Sequence, residues 1–271
     1  MKHFNRTVTV LVFIFLYIPM IVLAVASFNE GLDVATFKGF TFRQYANLFR
    51  DGALLELLRN SLIVAVLSSA IAPVVGTMAA VGIHSMKGKL RSAVMTLTNI
   101  PMTNPDIVTG VALALLFAFT GTMLRINSIL SFWTLLIAHI AFNVPYVIFN
   151  VSPKLKQLDI KLYEAALDLG CNPKQAFFKV ILPEISPAIL SAFLICLTYS
   201  IDDFMISYFN CGTVETLPIA IYSMTRKKVS PEIYALSTIM FVVILCIILV
   251  SNAMESRSYR RDQKALRGEG V

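Results

Sequence analysis

The sequence predicts an all-α protein that crosses a membrane six times. Of its 271 residues 57% are hydrophobic and only 14% are charged, and the mean hydropathy is +0.74. A soluble globular domain carries about 25% charged residues. The apolar residues also form runs of about 20, the helix length that spans the hydrocarbon core of a bilayer. We therefore expect residues 1–271 to form a single transmembrane domain.

Six apolar segments are long enough to span, and polar stretches separate them. They cover residues 7–27, 60–85, 92–119, 129–151, 184–207 and 232–253. A signal peptide is the alternative for the first segment, but it lacks a convincing small-residue cleavage pattern and more spans follow it. Short amphipathic helices at the membrane interface are predicted within the loop that follows the first span.

Several classes of function are disfavoured by what the sequence lacks. The phosphate-binding pattern Gly-x4-Gly-Lys-Ser/Thr does not occur, so we expect this chain to use no ATP and to hold no cofactor or metal itself. The four cysteines are far apart and indicate neither a disulfide framework nor a Cys-x-x-Cys metal site. The net charge of +7 is better explained by basic cytoplasmic loops than by nucleic-acid binding.

The distribution of basic residues predicts the orientation. With six spans both termini lie on one side, and most of the 23 Lys and Arg residues fall on that side. Because cytoplasmic loops carry an excess of Lys and Arg, we expect both termini in the cytoplasm. The run Arg226-Lys227-Lys228 falls on the other side and disagrees with the total.

A polar, helix-forming stretch at residues 154–183 lies between the fourth and fifth spans. Asp159 is suited to cap a first helix, and Gly170 is suited to the left-handed position just after it. Asn172 and Pro173 are typical of the start of a second helix, and we expect Pro183 to lie near the end of that helix. By itself this pattern indicates a surface helical hairpin that connects two spans.

The same stretch resembles the cytoplasmic signature of permease subunits of bacterial ABC importers. The matching residues are Glu164-Ala165-Ala166, then Gly170, then Val180-Ile181-Leu182-Pro183, with Val180 where the family has Ile. The resemblance implies the type I ABC importer permease fold. It also implies that Glu164, Ala165, Ala166 and Gly170 dock into a cleft on a separate ATPase subunit, which carries the ATP and magnesium.

Two acidic positions within spans are candidates for a substrate path, because intramembrane charges are costly. Asp106 follows the helix-breaking Pro105 in the third span, about 20 Å from its start at helical rise. It is equally suited to cap the helix that restarts there. Asp202 and Asp203 lie in the outer half of the fifth span, where the alternative is the end of that helix.

The aromatic residue Tyr199 lies three and four residues before this acidic pair, on the same helical face. Carboxylates beside an aromatic ring suit an organic cation. Adjacent side chains point about 100° apart on a helix, so we expect one of the two to face the path and favour Asp203. His139 and Asn143 in the fourth span are expected to be hydrogen-bonded to neighbouring helices, and Trp133 to anchor at the interface.

Further motifs are similar to the second permease subunit of spermidine/putrescine ABC importers. They are Asn60-Ser61-Leu62, Pro105-Asp106-Ile107-Val108, Ser200-Ile201-Asp202-Asp203-Phe204, Ile221-Tyr222-Ser223-Met224 and Ser230-Pro231-Glu232. The resemblance implies import of polyamines across the bacterial inner membrane by alternating access. It also implies three kinds of partner, namely a second permease, two ATPase subunits and a periplasmic polyamine-binding protein.

Two alternatives stay open from the sequence alone. The first is an importer of the same kind with another cargo, such as ferric ion, thiamine or an oxyanion, although acidic residues disfavour an anion. The second is a proton-driven secondary transporter with Asp106, His139 and Asp202 as its relay. Six spans without an evident inverted repeat weaken the second alternative.

Overall fold

A computed structural model describes residues 2–31, 36–126, 129–226 and 232–266. The described residues are mostly helical, as predicted, and an isolated β-bridge pairs Asn29 with Phe40. The helices are α1 (Lys2–Ser27), α2 (Arg43–Arg50), α3 (Gly52–Ser85), α4 (Gly88–Thr103), α5 (Asp106–Leu124), α6 (Phe132–Gln157), α7 (Ile160–Asp168), α8 (Pro173–Ala176), α9 (Leu182–Asp202), α10 (Met205–Asn210), α11 (Leu217–Thr225) and α12 (Glu232–Leu266).

Six stretches of helix within the described residues are long and apolar enough to cross a membrane, which confirms the predicted number. They are Arg6–Ser27, Gly52–Ser85, Asp106–Leu124, Phe132–Gln157, Pro173–Asp202 and Glu232–Val250. Four of the six predicted segments agree with these stretches apart from their ends. The third and the fifth differ in a way that affects the candidate site.

The third span is shorter than predicted because the helix stops and restarts. α4 ends at Thr103, Asn104 is extended, and α5 begins at Asp106. A proline disfavours helical backbone in the residue before it and suits the start of a helix. The predicted break at Pro105 is therefore confirmed, and Asp106 lies in the first turn of the spanning helix rather than in the middle of a continuous one.

The fifth span begins earlier than predicted, and Pro183 does not lie near the end of the second helix of the hairpin. α8 continues through a π-helical turn, Phe177–Ile181, directly into α9. In this turn the Leu182 N–H bonds to the Phe177 carbonyl, five residues back. The wider turn accommodates the Pro183 ring, which in a regular α-helix would clash with the carbonyl four residues earlier.

The described residues group into two compact units. One comes from Met1–Arg59 and Ala220–Cys246, and the other from Asn60–Ile219 and Ile247–Val271. The core of the second unit is formed by α3, α6 and α9. Its buried residues are Ala72, Ala80, Ile83, Val147, Ile148, Val151, Leu155, Ile185, Ala192 and Cys196.

Gly76 allows α3 to approach α6 closely within this core. A Cβ placed on Gly76 would lie 2.5 Å from Val147 Cβ and 3.2 Å from the Val144 carbonyl oxygen. Any larger residue would force the two helices apart, because a packed interior leaves no room for an extra methyl group.

Candidate substrate path and coupling hairpin

The two adjacent aspartates have different surroundings. α9 ends at Asp202, which is exposed, while the Asp203 side chain is only 6% exposed. The Asp203 carboxylate accepts hydrogen bonds from the backbone N–H groups of Ile206 at 3.2 Å and Ser207 at 2.7 Å. Asp203 therefore supports the first turn of α10. We favoured Asp203 for the path, but the exposed member of the pair is Asp202.

The buried Asp203 carboxylate also lies beside a histidine of α6. His139 Nε2 is 3.7 Å from Asp203 Oδ2 and 3.0 Å from Ser207 Oγ. The expectation that His139 is hydrogen-bonded to a neighbouring helix is thus confirmed. The imidazole is hydrogen-bonded to Ser207 of α10 and lies beside Asp203 at the end of α9, so His139 packs against the break between these two helices.

A second buried polar contact joins α3, α6 and α9. Ser200 Oγ lies 2.9 Å from Ser68 Oγ and accepts a 2.8 Å hydrogen bond from Asn143 Nδ2. This confirms that Asn143 bonds across a helix interface. Removing one partner of a buried hydrogen bond leaves the other unsatisfied, so such contacts specify the packing of the helices that carry the site.

The start of α5 is held against α10 through a glycine and an asparagine. Asn210 Nδ2 donates to the Gly110 carbonyl at 3.1 Å. A Cβ on Gly110 would lie 3.0 Å from the Met205 carbonyl oxygen, so glycine favours this close approach. Gly110 is one turn beyond Asp106, and the contact therefore positions Asp106 near the end of α9.

Asp106 belongs to the same group as the acidic pair. It is exposed and lies within electrostatic range of Asp202, Asp203 and Tyr146. Carboxylates within electrostatic range of one another, two of them exposed, favour the binding of a cation near them. The structure therefore brings together acidic residues from α5 and α9 that are 96 positions apart in the sequence.

Three aromatic rings extend this acidic group. The Tyr146 and Tyr199 rings meet edge to face with centroids 4.7 Å apart, and Phe142 lies 5.4 Å from Tyr146. Tyr199 is 40% exposed. We did not predict Phe142 and Tyr146. Their spacing of four residues places them on one face of α6, but within a long apolar run nothing marks that face as lining a path.

The hairpin at residues 154–183 has the local structure predicted for its turn. Asp159 Oδ1 accepts from the Lys161 N–H at 3.0 Å, and Asn172 Oδ1 accepts from the Gln175 N–H at 2.9 Å. Gly170 is left-handed at φ +88°. The Cys171 N–H bonds to the Ala166 carbonyl and the Gly170 N–H to the Leu167 carbonyl, which is the Schellman end of a helix.

The signature residues of the hairpin differ in their exposure. Ala166 is buried against the rest of the chain, whereas Glu164, Ala165 and Gly170 are exposed. Leu169, at the turn, is 87% exposed. An acidic residue, a small residue and a large apolar residue are thus available to another protein.

Two of the remaining motifs have structural contacts. Asn60 Nδ2 donates to the Glu215 carbonyl at 3.3 Å, and Ser61 Oγ accepts from the Leu217 N–H at 2.7 Å, so this motif joins α3 to the loop before α11. Arg226 lies over the Tyr222 ring, 4.7 Å from its centroid, and bonds to its hydroxyl group. Lys227, Lys228, Ser230 and Pro231 lie outside the described residues.

Residues 72–261 match the family described as "Binding-protein-dependent transport system inner membrane component". The chain belongs to this family. It is therefore a multi-pass membrane protein of the ABC importer permease class. This finding disfavours the proton-driven secondary transporter, because the family is defined by dependence on a binding protein.

Two characterised relatives align over most of the chain. One is the "Spermidine/putrescine transport system permease protein PotC" of Escherichia coli (strain K12), 36% identical over 241 residues that cover 89% of each chain. The other is the "Putrescine transport system permease protein PotI" of the same strain, 35% identical over 264 residues that cover 94% of this chain and 93% of the relative.

Solved structures support the fold. A chain from the "Crystal structure of a bacterial ABC transporter involved in the import of the acidic polysaccharide alginate" superposes with a TM-score of 0.73. That match has 18% sequence identity and covers 94% of this chain and 95% of the other. At this identity the likeness concerns only the fold, and it confirms the predicted type I importer permease architecture.

Proposed function

We propose that this chain is one permease subunit of an ATP-driven importer that carries polyamines across the bacterial inner membrane. The observation that carries the proposal is the group formed by Asp106, Asp202, Tyr146 and Tyr199, in a chain 36% identical to a spermidine/putrescine permease. A polyamine carries several separated ammonium groups, and each one that leaves water requires a compensating acceptor. Carboxylates and aromatic faces are such acceptors.

The exposed Asp202 is the path residue that we now favour, with Asp106 as the second carboxylate. The Asp203 carboxylate is occupied by the Ile206 and Ser207 amides and acts as a positioning residue. Tyr199 and Tyr146 form the aromatic wall. Since transport requires release as well as binding, a few exposed carboxylates suit a path better than a closed, fully paired site.

The proposed assembly contains this permease, a second permease subunit, two ATPase subunits and a periplasmic polyamine-binding protein. ATP and magnesium belong to the ATPase subunits, and this chain performs no covalent chemistry. The exposed Glu164, Ala165 and Leu169 support docking of the hairpin on an ATPase. In this proposal both termini and the hairpin face the cytoplasm, as the distribution of Lys and Arg favours.

The proposed mechanism is alternating access. Closure of the ATPase dimer on ATP moves the hairpin, and α9 transmits that movement because α8, the π-helical turn and α9 are continuous. The spans then tilt so that the path opens outward and receives the polyamine from the binding protein. Hydrolysis returns the path to its inward-facing state.

The test is ATP-dependent uptake by the reconstituted complex. The permease is co-expressed with the proposed ATPase, second permease and binding protein, and the complex is placed in lipid vesicles that contain ATP. We expect uptake of labelled spermidine or putrescine and competition between the two. Uptake of ferric ion or thiamine without any uptake of polyamine would contradict the proposed cargo while preserving the permease class.

A further inference from the structure

The loop after the first span carries a cluster of aromatic rings that is ordered by hydrogen bonds. The Phe28 ring lies 5.1 Å from the Phe40 ring, 5.5 Å from the Phe42 ring and 5.1 Å from the Tyr45 ring, between centroids. The Thr41 N–H bonds to the Phe28 carbonyl at 2.8 Å. The rings therefore form one packed unit, which we call the Phe28 cluster (Phe28, Phe40, Phe42 and Tyr45).

A buried asparagine fixes the loop around this cluster. Asn29 is 3% exposed, and its Oδ1 accepts from the Gly31 N–H at 3.1 Å and the Lys38 N–H at 2.9 Å. Its Nδ2 donates to the Thr36 carbonyl at 2.8 Å. These hydrogen bonds fold the loop back on itself, and they hold the nearby aromatic rings in fixed, exposed positions.

The ends of the spans determine where the Phe28 cluster lies relative to the membrane. The first candidate span ends at Ser27, so Phe28 is the next residue after it. Ser27 Oγ lies 2.8 Å from the Tyr45 hydroxyl oxygen, and Asn47 Nδ2 donates to Glu232, the first residue of α12, at 3.2 Å. α2 is thus bonded to residues at the ends of the first and sixth spans. With six spans, those two ends lie on the same face of the membrane.

α2 has an exposed side that combines aromatic and basic residues. Gln44 and Leu48 are buried, whereas Phe42 and Phe49 are 64% and 61% exposed. Phe42 and Phe49 are seven residues apart, which is nearly two helical turns, and they share one side. Arg43 and Arg50, also seven residues apart and exposed, lie beside them. The loop before α2 adds one more exposed aromatic residue and one more exposed basic residue. They are Phe40, which is 65% exposed, and Lys38.

We infer that the Phe28 cluster and the outer side of α2 lie in the headgroup layer of the lipid bilayer. Aromatic rings prefer this layer, and amphipathic helices lie in it with their apolar side toward the acyl chains. The Arg43 and Arg50 guanidinium groups match the phosphates of the lipid headgroups in charge and in hydrogen-bonding geometry. The occupant of this surface is therefore phospholipid, with anionic lipid preferred.

The inference predicts that a probe on this surface contacts lipid. The assembled complex is placed in nanodiscs of phosphatidylethanolamine and phosphatidylglycerol, with Trp133→Phe removing the chain's one tryptophan. Phe42→Trp or Phe49→Trp then introduces a single probe on this subunit, in partners freed of tryptophan. We expect blue-shifted emission, and greater loss of emission with a spin label on the lipid headgroup than with a label near the acyl-chain end. Leu169→Trp, at the turn of the hairpin that we propose docks on the ATPase, is the control and should not be quenched by either lipid label.

The contact with phosphates has a separate test. Replacing phosphatidylglycerol by phosphatidylcholine should decrease quenching of the Phe42→Trp probe, and Arg43→Gln with Arg50→Gln should remove that dependence. Probes that stay accessible to iodide and are not quenched by labelled lipid would overturn the inference. Probes protected only after the periplasmic binding protein is added would also overturn it, because that result assigns the surface to a protein partner. Neither measurement depends on the cargo.

Discussion

The Asp203 carboxylate accepts a 2.7 Å hydrogen bond from the Ser207 backbone N–H, four residues ahead, and thereby supports the start of α10. Asp202, its neighbour, is the exposed last residue of α9. The helix is interrupted between α9 and α10, and the two neighbouring aspartates therefore differ. Asp203 supports the structure, and Asp202 is available to a cargo.

The first prediction uses this difference. Asp203→Ala should lower the stability of the purified permease by about 1–2 kcal/mol, because the amides of α10 lose a capping group. Asp202→Ala should leave stability nearly unchanged. It should raise the spermidine concentration for half-maximal uptake by about tenfold, the effect of losing roughly 1.5 kcal/mol of charge-assisted contact. Thermal unfolding in detergent and uptake in vesicles measure the two effects. Equal stability loss in both variants would show that Asp203 has no special structural role.

The second prediction concerns the aromatic wall. Tyr146→Leu and Tyr199→Leu should each increase the KM for spermidine about two- to fivefold, since a cation–π contact contributes about 0.5–1 kcal/mol where it is partly exposed. Tyr146→Phe and Tyr199→Phe keep the ring and serve as matched controls with near-normal KM. If the Leu and Phe variants behave alike, the rings do not contact the cargo.

The sequence was informative wherever a residue type has a strong local preference. Pro105 marked the break before α5, and Asp159, Gly170 and Asn172 marked the caps of the hairpin, because each preference acts within one turn of helix. The apolar runs similarly predicted the number of spans.

Features that depend on contacts between distant segments could not be predicted in this way. The burial of Asp203 depends on His139, 64 positions earlier, and on the interruption between α9 and α10. The apolar residues after Asp203 gave no sign of that interruption. The continuity through Pro183 depends on a π-helical turn, which has no clear sequence signal. Tyr146 reaches the site because α6 packs against α9, a contact that the sequence does not indicate.

The third prediction tests the hairpin. Gly170 has φ +88°, and no atom lies within 4 Å of a Cβ placed there, so a substitution adds backbone strain without a steric clash. Gly170→Val should cost roughly 1–2 kcal/mol locally and misdirect the helix that docks on the ATPase. We expect uptake to collapse while the protein still inserts. Gly170→Asn should keep more activity, because Asn tolerates the left-handed conformation. Normal uptake by Gly170→Val or by Glu164→Lys would contradict coupling through this hairpin.

The fourth prediction concerns orientation. Cys171 lies in the turn of the hairpin and is partly exposed, whereas Cys196 is fully buried. An impermeant maleimide should modify Cys171 only in inside-out vesicles, and a Thr36→Cys variant, exposed in the loop after the first span, should be modified only from the outside of intact cells. Cys196 should stay unmodified in both preparations. Labelling of Cys171 from outside would reverse the topology and would also exclude docking of the hairpin on a cytoplasmic ATPase.

The last prediction tests the packing that holds α3 against α6. Gly76→Ala places a methyl carbon 2.5 Å from Val147 Cβ and should destabilise the permease by about 1–3 kcal/mol through overpacking. Gly82→Ala on the same helix is the control. No atom lies within 4 Å of its added carbon, and alanine is the better helix former by about 1 kcal/mol, so stability should not fall. Val147→Ala removes Cγ1, which would lie 2.7 Å from the added methyl carbon, so the double variant should be destabilised by less than the sum of the two single effects. Strict additivity in thermal unfolding would show that Gly76 and Val147 do not limit this contact.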